Sequence, residues 1–250
     1  MAGKIRVGVG GWAFEPWRGV FYPAGMPQSR ELEFASHVLT SIEINATYYA
    51  TFKPATWRKW RDATPRDFTF SVKASRYCTS RKDLEEAKSA IDRFLGQGMT
   101  ELGDKLGPIN WQLPATKRFD GEEIEGFLSL LPRMQDGVRL RHALEVRHVS
   151  FATPALKALA RAHGVAVVHV ASDRYPQIDG DASDFTYARV MTSRAQFSAG
   201  MTGPELGRIA ARARQWSRRG DVFIYFIGGA KIRNPAAAQA LIERLRSVKP

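Results

Sequence analysis

Residues 141–148 carry charges where a barrel strand would bury them. Leu144 and Val146 are apolar, whereas Glu145 and Arg147 are charged. In a parallel barrel the apolar set faces the surrounding helices, so the charged set must point into the barrel. Buried charges are costly unless they are paired or used in chemistry. The segment therefore predicts a site in which Glu145 and Arg147 meet partners from other strands.

Other β-rich segments also carry polar residues at the alternate positions that would face the barrel interior, as Glu145 and Arg147 do. In chain order, these predicted interior residues are Glu43, Asn45, Thr69, Ser71, Lys73, Asn110, Gln112, Tyr187 and Arg189. Most of them lie in the second half of a segment, which is the end where barrel enzymes build their sites. We therefore expect a ligand site at the carboxyl ends of the strands, with a structural salt-bridge network as the alternative.

Glu145, Glu43 and Lys73 are the candidate catalytic residues. The two carboxylates would form an acid/base pair if burial and basic neighbours push their pKa values apart. Lys73 beside a carboxylate suits a proton donor, a Schiff-base amine or an anchor for an anion. His148 and His169 are candidate general bases, and each has a structural, hydrogen-bonded role as its alternative.

Arginines, amides and aromatic residues complete the predicted site. The predicted ligand-binding residues are Trp12, Asn45, Tyr48, Gln112, Arg147, His148, Asp173 and Arg189. Arg147 and Arg189 suit a phosphate or carboxylate held by paired donors. Trp12 and Tyr48 belong to aromatic loops after the first two strands, where they either pack the rim or stack on a base or sugar.

No metal or other cofactor is predicted. An oxygen-rich Mg²⁺ or Mn²⁺ site would need Glu43, Glu145, His169 and Asp173 together, but the neighbouring lysine and arginines already neutralise these acids. Cys78 is the single cysteine, which excludes an internal disulfide framework and fits a reducing compartment. Its basic surroundings would lower the pKa of the thiol, although no histidine partner is identifiable.

The elements that would position these residues alternate along the chain. The β-rich segments are residues 5–10, 41–46, 67–73, 106–112, 141–148, 165–170, 185–190 and 221–227. The helical patterns are residues 31–38, 54–61, 82–96, 121–131, 154–162, 203–219 and 235–248. Such alternation predicts βα units and a parallel sheet, and eight strands in 250 residues match one (β/α)8 TIM-type barrel domain over residues 1–250. A doubly wound open sheet is the alternative, but its glycine-rich phosphate loop is missing.

The net charge of the chain and the lengths of its apolar segments limit the kinds of binding partner that it can have. Lys and Arg number 37 against 25 acidic residues, a net charge of +12 that favours anionic partners. A small anionic ligand is expected, with nucleic acid as an open alternative. No apolar run suits a signal peptide or approaches the roughly 20 residues needed to span a bilayer. We expect a cytoplasmic protein without a membrane partner, and the sequence leaves its oligomeric state open.

Short motifs in a fixed order carry a family resemblance. In chain order they are Gly11-Trp12 with Trp17 and Phe21-Tyr22-Pro23, Glu43-Ile44-Asn45 with Tyr48-Tyr49, residues 68–73, Thr79, Gly107 with Gln112-Leu113-Pro114, residues 145–148, Asp173, and Tyr187-Ala188-Arg189. With these motifs the chain resembles the DUF72 (YecE-like) family of TIM-barrel proteins. The resemblance implies the barrel and a polar pocket at its carboxyl end, and it implies no reaction.

The chain departs from the family pattern at three places. Ser80 follows Thr79 where the family tends to have histidine, and Met191 stands where a His-Gly pair is usual. Gly228 and Gly229 end the last strand where an Asn-Asn type of motif is usual. All three changes remove polar groups from the expected pocket, which indicates a different ligand or a loss of some chemistry.

Three functions fit these observations. The first is an enzyme that acts on a small anionic, phosphorylated or sugar-like substrate by acid/base chemistry without a metal. The second is a binding or regulatory module that uses the same pocket without turnover. The third is a nucleic-acid-associated protein that combines arginine-rich loops with aromatic stacking. The sequence does not decide between an enzyme and a binding protein.

Overall fold

Eight parallel strands form a barrel inside a layer of helices. The computed structural model describes residues 2–178 and 183–247. The strands are β1 (Ile5–Gly10), β2 (Ser41–Ile44), β3 (Thr69–Lys73), β4 (Leu106–Gln112), β5 (His142–Glu145), β6 in two segments (Ala166–Val167 and His169–Ala171), β7 (Phe185–Val190) and β8 (Asp221–Phe226). The predicted TIM-type barrel is confirmed.

Each strand of the barrel pairs with its neighbours in the chain, and β1 also pairs with β8. The first segment of β6 pairs with β5 and the second pairs with β7. Between the segments, the amide of Val168 donates to the carbonyl of Leu144 at 2.9 Å. The ring of strands therefore passes from β5 to β7 through both segments of β6.

Helices cover the outside of the barrel. They are α1 (Glu31–Val38), α2 (Pro54–Asp62), α3 (Arg76–Thr79), α4 (Lys88–Leu95), α5 (Gly121–Ser129), α6 (Pro154–His163), α7 (Gly203–Ser217) and α8 (Asn234–Ser247). Short 3-10 helices are Glu15–Trp17, Gln28–Arg30, Ala46–Tyr48, Leu84–Ala87, Met99–Lys105, Val149–Phe151 and Lys231–Arg233. A small hairpin pairs Met134–Gln135 with Val138–Arg139. No described helix is long and apolar enough to cross a membrane.

Several predicted elements differ in their bounds from the structure, and the strand predicted at 141–148 is confined to His142–Glu145. The strand at 41–46 ends at Ile44, because Asn45 adopts helical backbone angles and begins the turn Ala46–Tyr48. The single helix at 82–96 is wrong, since a 3-10 turn at Leu84–Ala87 precedes α4. Val248, the predicted last residue of the final helix, lies outside the described residues.

Side chains fill the lower barrel, so the barrel is a packed core and not a pore. Val168, Val170, Phe223 and other buried residues form one apolar cluster there. Above them, the hydroxyl of Tyr225 lies 2.6 Å from both Ser41 Oγ and Ser71 Oγ. The floor of the barrel is therefore sealed, and any ligand must enter from the carboxyl ends of the strands.

Candidate ligand site at the carboxyl ends of the strands

Arg189 lies at the centre of the upper barrel. It faces inward because Ala188 and Val190, its neighbours in β7, belong to the core between strands and helices. Its side chain is 2% exposed, and the Nη2 atom donates to Glu43 Oε1 at 3.1 Å. The Nη1 atom donates to Glu145 Oε2 at 2.5 Å. One guanidinium therefore bridges two carboxylates that come from different strands, β2 and β5.

Glu145 is fully buried and both of its oxygens accept hydrogen bonds. Oε1 accepts from Arg147 Nε at 2.7 Å, and Oε2 accepts from Asn110 Nδ2 at 3.0 Å as well as from Arg189. Burial alone would raise the pKa of this carboxyl, but the guanidinium groups of Arg189 and Arg147 lower the pKa to about 2. Glu145 is therefore an ionised anchor for two arginines at neutral pH.

Arg147→Gln is expected to make the protein more sensitive to acid. Because the pKa of Glu145 is lower in the folded protein than its ordinary value, the carboxylate stabilises the fold above about pH 4.5. That contribution, about 3 kcal/mol, is lost as the pH falls from there towards 2. Without the Arg147 guanidinium the folded-state pKa rises, so the midpoint of acid unfolding should move to higher pH. Circular dichroism during an acid titration measures that midpoint.

The matched control is Arg93→Gln, because Arg93 is exposed on α4 and is far in sequence from the site. It should leave the acid midpoint where it is in the parent protein. An unchanged midpoint in Arg147→Gln would contradict the role of Arg147 in holding Glu145 ionised.

Glu43 is the second buried carboxylate and has a different set of partners. The hydroxyl of Tyr187 donates to Glu43 Oε2 at 2.5 Å, and Arg189 occupies the other oxygen. Burial, reinforced by the charge of Glu43, raises the pKa of Tyr187 well above its usual range. Tyr187 therefore stays protonated and donates to Glu43.

Arg147 and Gln112 form the wall next to Glu145. Arg147 Nη2 donates to Gln112 Oε1 at 2.9 Å, and its guanidinium lies over the ring of Tyr175 at 4.5 Å. Gln112 Oε1 also accepts from Arg189 at 3.2 Å. The amide oxygen thus ties the two arginines together, which fixes the orientation of both.

Lys73 is held differently from the arginines. Its ammonium lies 4.3 Å from the centre of the Tyr48 ring, and within residues 2–178 and 183–247 it forms no ion pair with a carboxylate. Burial lowers the pKa of Lys73, the charge of Arg189 adds to this effect, and the resulting pKa is about 8. Glu43 and Glu145 act in the opposite direction but do not cancel it. Lys73 can therefore gain and lose a proton near neutral pH.

These side chains border a cavity of about 550 Å³ that opens at the carboxyl ends of the strands. Its lining residues are Gly10, Asn45, Tyr48, Tyr49, Lys73, Gln112, Arg147, Tyr175, Arg189, Met191, Phe226, Ile227, Gly228, Lys231 and Asn234. Lys231 is the fourth cation of this wall, and burial lowers its pKa. The volume is in the range of small-molecule sites.

The structure brings most of the predicted site residues to this cavity. Those that line it are Asn45, Tyr48, Lys73, Gln112, Arg147 and Arg189. Glu43 and Glu145 lie beneath it, because Arg189 covers both carboxylates. Trp12 lines an adjoining cavity of about 260 Å³.

Three of the predicted polar residues lie elsewhere. His148 Nδ1 accepts from the amide of Ser150 at 3.1 Å and thereby caps the short helix after β5. Asp173 is exposed on a turn and is not among the described residues that line the cavity. His169 packs against the ring of Trp216 on α7 at 5.2 Å, so it faces the helix layer.

Several lining residues were not predicted from the sequence. They are Gly10, Tyr175, Phe226, Ile227, Lys231 and Asn234. All but Asn234, which begins α8, lie at the end of a strand or in the connection after it, which is the signal that identifies such residues. Lys231, in the loop after β8, is the most informative of them because it adds a cation.

The four residues considered as ligands for a divalent cation do not lie close together in the structure. His169 faces α7, Asp173 is exposed, and Glu43 and Glu145 are paired with Arg189. In the part of the chain that the structure describes, no three His, Cys, Asp or Glu side chains are grouped as a metal site. The lowered thiol pKa expected for Cys78 is wrong, because burial raises it to about 12.

Comparisons with known proteins place the chain in a family. The family model described as "Protein of unknown function DUF72" matches residues 6–250. The chain belongs to the DUF72 family. It is 32% identical to the UPF0759 protein YecE of Escherichia coli strain K12 over 122 residues, which are 48% of this chain and 42% of YecE. The chain thus aligns with less than half the length of this curated relative.

Solved structures of other DUF72 family proteins share the fold. One from Thermotoga maritima has a TM-score of 0.78 at 22% identity and covers 98% of this chain and 100% of that protein. One from Enterococcus faecalis has a TM-score of 0.73 at 15% identity and covers 99% of both chains. These likenesses support the barrel architecture.

The three positions at which the sequence is expected to depart from the DUF72 pattern lie at or next to the cavity. Met191 and Gly228 line it, and Ser80 Oγ lies 3.3 Å from the hydroxyl of Tyr48, which also lines it. A change at Met191 or Gly228 would therefore alter the wall of the cavity, while Arg189 and its two carboxylates lie below it.

Proposed function

We propose that this DUF72 protein binds a small anion in the 550 Å³ cavity. The observation that carries the proposal is the charge balance of the site. Four cations line the cavity, namely Lys73, Arg147, Arg189 and Lys231. The two carboxylates of the site, Glu43 and Glu145, are fully buried and hydrogen-bonded to Arg147 or Arg189. An excess of two positive charges faces the cavity, which a phosphate or carboxylate would neutralise.

The two lysines are the residues best placed to hold that anion. Arg189 is committed to Glu43 and Glu145. The ammonium groups of Lys73 and Lys231 instead lie over the aromatic rings of Tyr48 and Phe14. Lys73 is half-buried and Lys231 is exposed, and neither has a carboxylate partner among the described residues. An incoming anion would therefore be the first counter-charge of each lysine, whereas Arg189 is already paired.

The rest of the ligand would contact tyrosine rings. Tyr48, Tyr49 and Tyr175 line the cavity beside the cations. Their rings offer apolar faces and their hydroxyl groups offer hydrogen bonds, a combination that suits a sugar-like or other small polar body attached to the anion.

If the protein is an enzyme, Lys73 is the residue that transfers the proton. Its pKa of about 8 lets it act as acid or base near neutral pH, whereas Glu145 stays ionised. Lys73→Arg separates an enzyme from a binding module, because arginine keeps the charge but does not deprotonate. With phosphorylated metabolites as substrates, turnover should disappear in Lys73→Arg while binding persists. A binding module would retain its full function in this variant.

Affinity for inorganic phosphate is expected to fall as the pH rises through about 8. Lys73 binds the anion as ammonium, and its lowered pKa places the loss of that charge near pH 8. Above this pH, affinity should decrease by up to about tenfold per pH unit, because a proton must be taken up for binding. Calorimetric titrations across this range measure the effect. In Lys73→Arg the decline should vanish, and a decline that persists in this variant would contradict the assignment to Lys73.

Association with nucleic acid is a second candidate function. It is supported by exposed aromatic and arginine side chains at the rim of the barrel, here Tyr49, Arg76 and Tyr77. Tyr49 is 71% exposed and Tyr77 is 63% exposed, and the guanidinium of Arg76 lies 5.3 Å from the Tyr77 ring. Exposed aromatic rings beside arginines suit stacking on single-stranded bases.

Under this candidate, a single-stranded oligonucleotide should bind with an affinity that falls steeply with salt, and Tyr77→Ala should weaken it about tenfold. Fluorescence anisotropy measures both effects. Val149→Ala, at another exposed apolar residue, is the matched control and should bind like the parent protein. Oligonucleotide binding that does not depend on salt, or that is equally strong in Tyr77→Ala and Val149→Ala, would exclude the rim as a nucleic-acid site.

A further inference from the structure

A second cavity of about 260 Å³ adjoins the anion cavity and has no role in the function proposed above. Its lining residues are Gly10, Gly11, Trp12, Ala13, Phe14, Ile44, Asn45, Ala46 and Lys231. Three of these, Gly10, Asn45 and Lys231, also line the anion cavity. The two spaces are therefore neighbouring lobes of one site, and the smaller lobe is walled by Trp12, Phe14 and Ile44.

The aromatic walls of the smaller lobe are held in place by contacts outside it. The ring of Trp12 meets Trp60 edge-on at 5.2 Å, and its carbonyl accepts from Tyr22 Oη at 2.7 Å. Phe14 packs edge-on against the buried Trp17 at 5.5 Å. A lobe with preformed walls loses little entropy when a ligand enters, which favours a rigid group.

Lys231 connects the two lobes. Trp17 Nε1 donates to the Lys231 carbonyl at 3.0 Å and fixes the loop after β8. The Lys231 ammonium lies 3.9 Å from the centre of the Phe14 ring. An anion paired with Lys231 therefore has its nearest apolar surface at Phe14.

Gly10 provides the close packing at the border of the lobes. A Cβ atom at this position would lie 2.4 Å from Asn45 Nδ2. Glycine thus lets the amide of Asn45 pack against the end of β1, at a point that both cavities share. Polar groups therefore line one side of this border, and the rings of Trp12 and Phe14 with Ile44 line the other.

We propose that the ligand is a small anion that carries a planar aromatic group, with the anionic group in the larger lobe and the ring between Trp12 and Phe14. The inference rests on the proposed anion-binding function and names the class of ligand. An apolar cavity of about 150 Å³ is enough to hold benzene, so the smaller lobe has room for one or two fused rings. Trp12 and Phe14 can meet such a ring edge-on or in an offset stack.

Calorimetric titration of the full chain with methyl phosphate, cyclohexyl phosphate and phenyl phosphate tests the inference. Phenyl phosphate should bind about 10- to 100-fold more tightly than methyl phosphate, since it buries a ring of the size of a phenylalanine side chain. Cyclohexyl phosphate should bind a few-fold more weakly than phenyl phosphate, because it lacks the aromatic contacts.

Two variants locate the ring. In Ala13→Leu, which fills the smaller lobe from an exposed position, the ratio of phenyl to methyl phosphate affinity should fall to about one. Trp12→Ala removes one wall and should lower the same ratio several-fold. Ala50→Leu is the matched control, because Ala50 is exposed and is not among the described residues that line either lobe, and it should keep the parent ratio.

The outcomes separate the two proposals. If methyl and phenyl phosphate bind equally, the aromatic ligand is excluded and the anion site stands. If the preference for phenyl phosphate survives in both Ala13→Leu and Trp12→Ala, the ring binds elsewhere and the inference is overturned. If neither compound binds, the anion-binding function fails and the inference fails with it.

Discussion

Replacing Arg189 with methionine is expected to lower the free energy of unfolding by about 3–5 kcal/mol. Arg189 is the shared partner of Glu43 and Glu145, both of which are fully buried. Without the guanidinium, two buried carboxylates face each other with no charge between them. A domain of ordinary stability has roughly 5–15 kcal/mol in total, so the loss would be severe. Urea denaturation at neutral pH measures it.

A charge-neutral variant distinguishes electrostatics from lost packing. In the double variant Glu43→Gln/Arg189→Met the site keeps its net charge and Glu145 keeps Arg147 as its partner, so this variant should recover a large part of the stability lost in Arg189→Met. Arg93→Met, at an exposed site on α4, should differ from the parent protein by less than about 0.5 kcal/mol. If Arg189→Met is as stable as Arg93→Met, Arg189 does not compensate the two carboxylates.

The double variant Lys73→Met/Lys231→Met is expected to weaken phosphate binding by about 10²- to 10⁴-fold. Hydrogen bonds to charged groups contribute about 1.5–3 kcal/mol each, which corresponds to roughly 10- to 100-fold per lysine. Both ammonium groups line the cavity without a carboxylate partner among the described residues. The network of Arg189 below them is untouched, so the fold should persist. Calorimetric titration with inorganic phosphate measures the loss.

Two controls accompany the lysine variant. Lys59→Met/Lys88→Met removes the same charge from exposed helix positions and should bind phosphate within about twofold of the parent protein. Lys73→Arg/Lys231→Arg keeps both charges and should retain most of the affinity at neutral pH. Equal losses in the two methionine double variants would mean that the net charge, and not the cavity, attracts the anion.

The strand pattern and the interior residues were predictable because a strand has a period of two. The bounds predicted for β1, β4 and β7 match the structure. The parity that turns Leu144 outward turns Glu145 inward, and the same rule applies to Glu43 and Arg189. Since all strands of a parallel barrel end at one face, inward polar residues near those ends converge whatever the details of the loops.

The depth of each residue in the barrel was not predictable, because it depends on the register between strands. Gln112 pairs with Glu145, so Arg147 lies one interior layer above that carboxylate. Glu43 pairs with Ser71, so Lys73 lies one layer above Glu43. This register buries both carboxylates and leaves the two cations at the cavity.

The positions of side chains outside strands with a clear alternation of polar and apolar residues could not be predicted from the sequence either. The strand that contains His169 is apolar at both parities, so the pattern does not indicate which face the histidine takes. His148 caps a short helix, a role that depends on the local turn. Lys231 reaches the cavity through a loop whose path depends on the bond from Trp17, more than 200 positions away in the chain.

A crystal structure with methyl phosphate, at a pH about one to two units below the pKa of Lys73, would show whether Lys73 and Lys231 hold an anion in the cavity. Phosphate oxygens should contact Lys73 Nζ and Lys231 Nζ, above an intact pairing of Arg189 with Glu43 and Glu145. An empty cavity at a high methyl phosphate concentration, or a phosphate bound away from both lysines, would contradict the proposed anion site.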